Sequence, residues 1–175
     1  DQISISDADG SLILTNARIS QSPERFEASM DSLQMPEGSL GQTSITQYNE
    51  GDTAYLDAQT QNLNWISEGQ SITADQLTLN MVQGPDGQGI LMSGNNIQVQ
   101  DGNSLITAAS GQLQIQNNAD GSGLIDLQGE GLSWQDGDQQ ITSPGQTHLS
   151  LTRHSDGYID SLNIKFKTVH LSTLR

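Results

Sequence analysis

Residues 63–81, LNWISEGQSITADQLTLNM, contain a spacing of apolar residues that recurs along the chain. The spacing is an apolar residue, six residues, an apolar residue, one residue, a small residue, four residues, Leu, one residue and an apolar residue. It predicts about four copies of a two-stranded unit of roughly 35 residues, the last copy with one extra residue. The four sets are Ile19, Phe26, Ala28, Leu33 and Met35; Trp65, Ile72, Ala74, Leu79 and Met81; Val99, Ile106, Ala108, Leu113 and Ile115; Trp134, Ile141, Ser143, Leu149 and Leu151.

Each unit alternates apolar and polar residues, a pattern typical of strands with one buried face and one wet face. Leu113-Gln-Ile115 and Leu149-Ser-Leu151 are examples. Between such runs lie pairs such as Asp101-Gly102, which are typical of hairpin turns. We therefore predict an all-β fold of about ten to fourteen short antiparallel strands, with little or no helix.

The spacing also changes parity inside each unit. Ala74 and Leu79 cannot share one face of an unbroken strand, because the distance between them is an odd number of residues. We expect a bulge or kink near Asp75 and at the equivalent Ser110 and Pro144-Gly145. Such a kink lets a long strand pass from one sheet to another, which predicts repeated strand pairs forming a folded two-sheet β-jellyroll.

The segment after Ser22-Pro23-Glu24 has a competing interpretation. This tripeptide is typical of a helix start, and Phe26, Met30 and Leu33 have helical spacing. Phe26 and Leu33 nevertheless occupy the repeat positions of Ile72 and Leu79. We therefore expect strands in this segment.

The composition is acidic and lacks cysteine. The 175 residues include 21 Asp and Glu against 6 Lys and Arg, a formal net charge of −15. No basic stripe is available to neutralise phosphates, which argues against a nucleic-acid partner. The absence of cysteine excludes disulfides, thiolate metal sites and cysteine nucleophiles.

We expect a single domain over 1–175, with repeats at about 12–50, 54–92, 93–127 and 128–162 and a terminal strand at 163–175.

No set of residues matches a standard catalytic or metal site, so we expect neither an enzyme nor a bound cofactor. His148 and His154, even with Asp156, lack a standard metal-ligand spacing and are interpreted as exposed histidines. Asp7-Ala-Asp9 and Asp136-Gly-Asp138 could serve acid/base chemistry or bind calcium, but we interpret them as residues of hairpin turns. Residues 84–89, GPDGQG, lack a Lys-Ser or Lys-Thr pair and are interpreted as a turn rather than a phosphate site.

Half of the basic residues lie in the last 11 positions, at Lys165, Lys167 and Arg175. We interpret these basic residues as part of a solvated edge strand, where lysines discourage aggregation. The alternative is a local basic site for an acidic partner surface or for lipid phosphate.

The stretch from Leu63-Asn-Trp65 through Ile72-Thr-Ala74-Asp75 to Gly94-Asn95 resembles the periplasmic lipopolysaccharide-transport family of the LptA/LptC (OstA-like) type. The similarity covers about residues 54–152, and the first 50 residues match only through the repeat, without the LptC opening segment. The resemblance implies a folded pair of antiparallel sheets with acyl chains between them. It also implies open ends that join neighbouring copies, and a periplasmic location with or without an inner-membrane anchor outside this sequence. The charge of −15 is unfavourable for a phosphorylated lipid.

The repeated apolar positions predict where a trough for acyl chains would lie. Burying one methylene contributes about 0.8 kcal/mol, so a lipid with several chains could bind strongly along a continuous apolar surface. Each residue taken singly is equally compatible with an ordinary sandwich core. The candidate trough residues are Trp65, Leu79, Met81, Ile97, Val99, Leu113, Ile115, Trp134, Leu149 and Leu151.

We therefore expect a non-catalytic module that carries the acyl chains of lipopolysaccharide or another multi-acyl lipid as part of a bridge across the periplasm. The expected protein partners are neighbouring OstA-like domains, paired through edge strands. The alternative is a structural β-repeat stalk or adhesin-type domain of a surface protein, with a dry interior. A carbohydrate-active enzyme would need a convergent acidic pair in a cleft, which sequence spacing neither shows nor excludes.

Overall fold

The computed structural model describes residues 1–7 and 10–173, which form fifteen β-strands and contain no helix. The predicted all-β class is confirmed. Within these ranges, no helical segment could therefore cross a membrane. The strands are β1 (Gln2–Asp7), β2 (Gly10–Thr15), β3 (Arg18–Gln21), β4 (Arg25–Met30), β5 (Ser32–Met35), β6 (Gly38–Leu40), β7 (Thr43–Glu50), β8 (Thr53–Ser67), β9 (Gln70–Gly84), β10 (Gly87–Asp101), β11 (Ser104–Asn118), β12 (Gly123–Asp136), β13 (Gln139–Arg153), β14 (Ile159–Phe166) and β15 (His170–Thr173).

All fifteen strands belong to one antiparallel sheet that is not closed into a barrel, consistent with a β-jellyroll-like fold. Strands β8 to β13 are 14 or 15 residues long and pair in chain order. In the N-terminal part of the sheet, two short strands take the place of each long strand. These pairs of short strands are β2 and β3, β4 and β5, and β6 and β7.

A bend crosses the sheet midway along the long strands and divides it into two arms. At this line the pairing skips a residue, for example between Gln61–Gln76 and Leu63–Ala74. Arm A comprises β1, β2, β5, β6, β15 and segments 63–67, 70–74, 97–101, 104–108, 132–136 and 139–143. Arm B comprises β3, β4, β7, β14 and segments 53–61, 76–84, 87–95, 110–118, 123–130 and 146–153.

Left-handed backbone conformations mark the bend. Asn62 (φ 51°), Asn96 (φ 49°) and Gly131 (φ 62°) lie at this line on β8, β10 and β12. Asn and Gly are the residues that adopt this conformation most readily. Asn96 Nδ2 also donates a 2.6 Å hydrogen bond to Asp75 Oδ2 on the neighbouring strand.

The apolar face of both arms lies on the inside of the bend. Ser143 Oγ and Thr147 Oγ1 are 3.0 Å apart, although residues four apart in an extended strand are separated by about 13 Å. Ile97 Cδ1 in arm A lies only 3.1 Å from where a Cβ on Gly94 of arm B would be. The side chain of Ile97 therefore crosses the bend on the face that Gly94 shares with Met92. We call the space between the two apolar faces the trough, and the hairpin turns at the ends of arms A and B lip A and lip B.

The predicted kink positions agree closely with the structure. The pairing breaks at Asp75 and at Pro144-Gly145 as expected, and the third break is at Ala109, one residue before Ser110. The segment after Ser22-Pro23-Glu24 forms β4 and β5, so the strand prediction is confirmed and the competing helix is wrong.

The described residues form fifteen strands, close to the expected ten to fourteen. The predicted short length is wrong for the six central strands, which have 14 or 15 residues. Breaks at residues 16–17, 31 and 41–42 carry no Asp-Gly signal, so the pattern did not reveal them. The predicted terminal strand 163–175 is divided between the end of β14 and β15, and Arg175 lies outside the described residues.

Candidate functional site

Three rows of directly paired inner-face residues, which we call ladders, line the trough. The first ladder crosses arm B next to the bend, the second crosses arm B nearer lip B, and the third crosses arm A. The first contains Ile19, Ala28, Ile45, Ala58, Leu79, Met92, Leu113, Leu127, Leu149 and Ile164; the second contains Phe26, Gln47, Leu56, Met81, Ile90, Ile115, Ile125, Leu151 and Leu162; the third contains Met35, Gly38, Trp65, Ile72, Val99, Ile106, Trp134 and Ile141.

The ladders follow directly from the sequence, because apolar residues at alternate positions of neighbouring strands come into register. The small residues at the bottom of the trough leave room for the bend. Gly94, Gly111 and Gly129 form one row there, and the methyl groups of Leu132 lie 3.3–3.4 Å from where a Cβ on Gly129 would be. Farther along the bottom row, Thr43 Oγ1 and Thr60 Oγ1 are 2.8 Å apart, so these buried or half-buried hydroxyls are paired.

The ladders do not form a closed core. Even on central strands the side chains of Ile106, Leu127 and Met92 are 46%, 45% and 41% exposed. The accessible surface of the chain is 11472 Å², whereas a compact monomer of 18.8 kDa exposes about 8300 Å². Among the described residues the buried apolar side chains are Ala28, Met30 and Ala74, and all three are close to the bend. The trough is therefore open to solvent.

All ten candidate residues from the sequence lie on this inner face and are half-buried. Leu79, Leu113 and Leu149 belong to the first ladder; Met81, Ile115 and Leu151 to the second; Trp65, Val99 and Trp134 to the third. Ile97 lies at the bend between arms. The structure thus brings the whole set together along one surface.

The candidates from the sequence include nine of the 27 ladder residues, so two thirds of the ladder residues were missed. Ile72, Ile106 and Ile141 are in the third ladder and occupy repeat positions, so the repeat could have identified them. Ile90 and Ile125 are in the second ladder, but neither is a repeat position. Ile125 could have been found from its alternation with Leu127, whereas Ile90 is part of a continuous apolar run, so only the pairing register shows that it faces the trough.

At lip A, a carboxylate holds one of the tryptophans in place. Glu37, in the turn between β5 and β6, accepts a hydrogen bond from Trp65 Nε1 at 3.3 Å and another from Ser67 Oγ at 3.1 Å. The Trp65 ring therefore presents an apolar surface to the trough while its N–H is bonded at the lip.

The opposite face of arm B is mostly polar. On it, Asp126 Oδ2 and His148 Nε2 form a hydrogen bond of 2.6 Å, and Arg25 Nε and Glu27 Oε1 form an ion pair at 2.7 Å. The hydrogen bond with His148, followed by one from Gln128, lowers the pKa of the Asp126 carboxyl. A groove of about 480 Å³ beside the bend on this face is lined mainly by amide and hydroxyl side chains, with Glu130 and His148 among them.

The other titratable candidates do not converge. His154 Nδ1 lies 2.9 Å from Asp156 Oδ1 in an exposed turn, and Asp136 and Asp138 occupy the turn at the start of β13. Within residues 1–7 and 10–173, no group of three His, Asp or Glu side chains could hold a metal ion. Asp9 of the pair Asp7-Ala-Asp9 lies outside the described residues.

The trough is open at both ends of the sheet. At one end the first ladder reaches Ile19 on edge strand β3, and at the other it reaches Ile164 on edge strand β14. These side chains are 63% and 51% exposed. Lys165, on the same edge strand, pairs with His148 and therefore lies on the polar face rather than in the trough.

Comparisons with protein-family models, with curated proteins and with solved structures found no match to this chain.

Proposed function

We propose that this chain is a non-catalytic lipid-binding and transport module that carries the acyl chains of lipopolysaccharide or another multi-acyl lipid in the trough. It acts in the periplasm as one segment of a bridge across the cell envelope. Neighbouring OstA-like domains, or further copies of this chain, continue the trough at its open ends. No bond is made or broken, because the lipid passes along the ladders from one module to the next.

The observation that carries this proposal is the continuity of the ladders. They cross the sheet from one edge strand towards the other, and most of their side chains are apolar and partly exposed. An acyl chain of about twelve carbons that left water for such a surface would gain about 10 kcal/mol before association costs. Several chains on one lipid share those costs, which favours a multi-acyl cargo.

The same openness weighs against a structural stalk. A stalk is stabilised by a continuous dry interior, in which central apolar side chains are fully buried. Ile106 and Leu127 are on central strands and remain nearly half exposed. Their exposure is explained if the trough has an occupant that is not part of the chain.

Site-specific photo-crosslinking in a Gram-negative envelope tests the proposal. A photoreactive residue at Leu79 or at Ile115 should capture lipopolysaccharide or another acylated lipid, because both positions face the trough. Matched positions Gln76 and Gln114 are on the same strands but on the polar face, so they should capture none. Equal labelling at the two sets of positions would contradict the proposal.

A further inference from the structure

The polar face of arm B carries a slot that runs across the strands. Two rows of directly paired side chains form its walls, and the groove of about 480 Å³ beside the bend lies between them. The row next to the bend contains Gln76, Asn95, Ser110, Glu130 and Gln146; the second row contains Thr78, Ser93, Gln112, Gln128 and His148. The backbone of Gly94, Gly111 and Gly129 forms its floor. We call this groove the polar slot.

The width of the sheet sets the length of the polar slot. It extends across five neighbouring strands, β9 to β13, so four strand spacings of about 4.8 Å make it roughly 19 Å long. One pyranose residue of an extended saccharide chain is close in length to one strand spacing. The slot therefore offers side chains from both rows to each residue of a chain of about four sugars.

The walls of the polar slot are mostly uncharged amides and hydroxyls. Such groups both donate and accept hydrogen bonds, as sugar hydroxyls do. Thr78 and Ser93 bond to each other, but within the described residues the side-chain amides of Gln76, Gln112 and Gln146 have no partner in the chain. These amides are available to a ligand. A face that only had to remain soluble would commonly carry charges of both signs.

The few charges near the polar slot disfavour an anionic ligand. Glu130 contributes a carboxylate to one wall, and His148 in the other wall is bonded to Asp126 at 2.6 Å. Lys165 pairs with His148 on β14 and Lys167 follows that strand, so both flank the slot at its β13 end. Within the part of the chain that the structure describes, no Lys or Arg lines the slot itself. An anionic ligand would therefore meet basic groups at one end only.

We propose that the polar slot binds an extended chain of uncharged pyranose residues. This inference does not rest on the lipid-carrying function, because the slot lies on the face opposite the trough. An acyl chain in the slot would leave its amides and hydroxyls without hydrogen bonds. A peptide strand that extends a sheet needs an open strand edge, whereas β9 to β13 each have a neighbour on both sides. An uncharged saccharide satisfies the two rows without either conflict.

Nuclear magnetic resonance on the full chain tests the inference, because it detects weak binding and assigns it to residues. The probes are cello-oligosaccharides of two to six sugars, which are extended, with maltohexaose as a curved chain and hexagalacturonate as an anionic one. We expect the cello-oligosaccharides to shift the side-chain amide signals of Gln76, Gln112 and Gln146. The affinity should rise about tenfold from two sugars to about four and then level off, because the slot is then filled.

The two control hexasaccharides should bind several-fold more weakly than cellohexaose. Maltohexaose cannot lie along a straight slot, and hexagalacturonate would face Glu130 on a chain of net charge −15. Equal affinities for the three hexasaccharides, or no shifts with any cello-oligosaccharide, would overturn the inference.

Paired substitutions localise the saccharide site. Gln112→Ala with Gln146→Ala should weaken cellotetraose binding about tenfold, since two amides that bond the sugar are lost. Gln98→Ala with Gln100→Ala removes two exposed amides that flank Val99 on β10 and point away from the trough in arm A. This control should bind cellotetraose as the parent does, and circular dichroism checks that both variants are folded. An equal loss in both variants would overturn the assignment to the slot.

A trough variant separates this site from the proposed lipid site. Leu113→Asp with Ile115→Asp changes the ladders and leaves the polar slot intact, so the folded variant should bind cellotetraose as the parent does. Loss of cellotetraose binding in this variant would place the sugar in the trough and overturn the inference. Failure of lipid binding in the parent would contradict the proposed function alone.

Discussion

At the scale of single residues, the bend depends on asparagines that hold a left-handed backbone. Asn96 combines a φ of 49° with a 2.6 Å hydrogen bond to Asp75. Asn16, between β2 and β3, combines a φ of 51° with a 2.7 Å hydrogen bond to Asp31. Such a conformation costs most residues with a Cβ about 1–2 kcal/mol. A left-handed Asn whose side chain bonds an Asp on a neighbouring part of the sheet thus occurs at two distant points along the bend.

Substitutions at Asn96 should show this backbone requirement. We expect Asn96→Ala to be less stable than Asn96→Gly by about 1 kcal/mol, because glycine adopts the left-handed conformation without strain. Equilibrium denaturation measures the difference. Asn95 is the control, since its φ is not left-handed and glycine in a strand is about 0.5–1 kcal/mol worse than alanine. If alanine were the more stable replacement at both positions, the bend would not depend on Asn96.

The Asp126 carboxylate contributes to the stability of the folded chain in a way that depends on pH. Its hydrogen bond with His148, and a second one from Gln128, lower the pKa of its carboxyl in the folded state. The contribution to stability is therefore present above the unfolded pKa of about 3.9 and is lost as the pH falls through the lower folded value. We expect Asp126→Asn to be less stable than the parent at neutral pH and the difference to shrink below about pH 4. A difference that stays constant to about pH 2 would contradict this account.

At the scale of elements, the sequence predicted strands where alternation was clear and missed breaks that carry no turn signal. The parity change between Ala74 and Leu79 located the bend on β9. It did not identify Asn62 or Asn96 as the left-handed residues, because a backbone angle leaves no trace in an apolar spacing. The break between β6 and β7, at residues 41–42, was missed because it carries no Asp-Gly turn signal.

The first ladder reaches both edge strands of arm B. Ile19 on β3 and Ile164 on β14 are its end members. If copies stack so that the ladder continues, Ile19 of one copy lies beside Ile164 of the next copy. The chain has no native cysteine, so introduced thiols report on this arrangement without background.

We expect the variant with Ile19→Cys and Ile164→Cys to form disulfide-linked multimers under mild oxidation, visible on non-reducing gels. Ile19→Cys with Lys165→Cys is the control, because Lys165 is on the opposite face of β14 and should link poorly. Equal linkage in the two variants would indicate random collision, and its absence in both would exclude stacking of copies through these edges.

At the scale of the whole molecule, the repeated apolar residues form one trough because the pairing register of all the strands places them side by side. The ten candidate residues could be predicted because each occupies an alternating apolar position, and all ten face the trough. The sequence could not show whether that surface is a packed core or an open trough, since the spacing of apolar residues is the same in a core and in a trough. The exposure of Ile106 and Leu127 distinguishes the two.

The central claim is that the trough is a site for acyl chains. Native mass spectrometry of the protein, released gently from the envelope of a Gram-negative cell, tests it most directly. Variants with Leu113→Asp and Ile115→Asp place charges on the first and second ladders, whereas Gln112→Asp and Gln114→Asp add the same charges to the polar face of β11. We predict a bound mass of a multi-acyl lipid on the parent and on the polar-face variant, and its loss from the trough variant. A parent protein that carries no lipid, or lipid retained equally by both variants, would contradict the account.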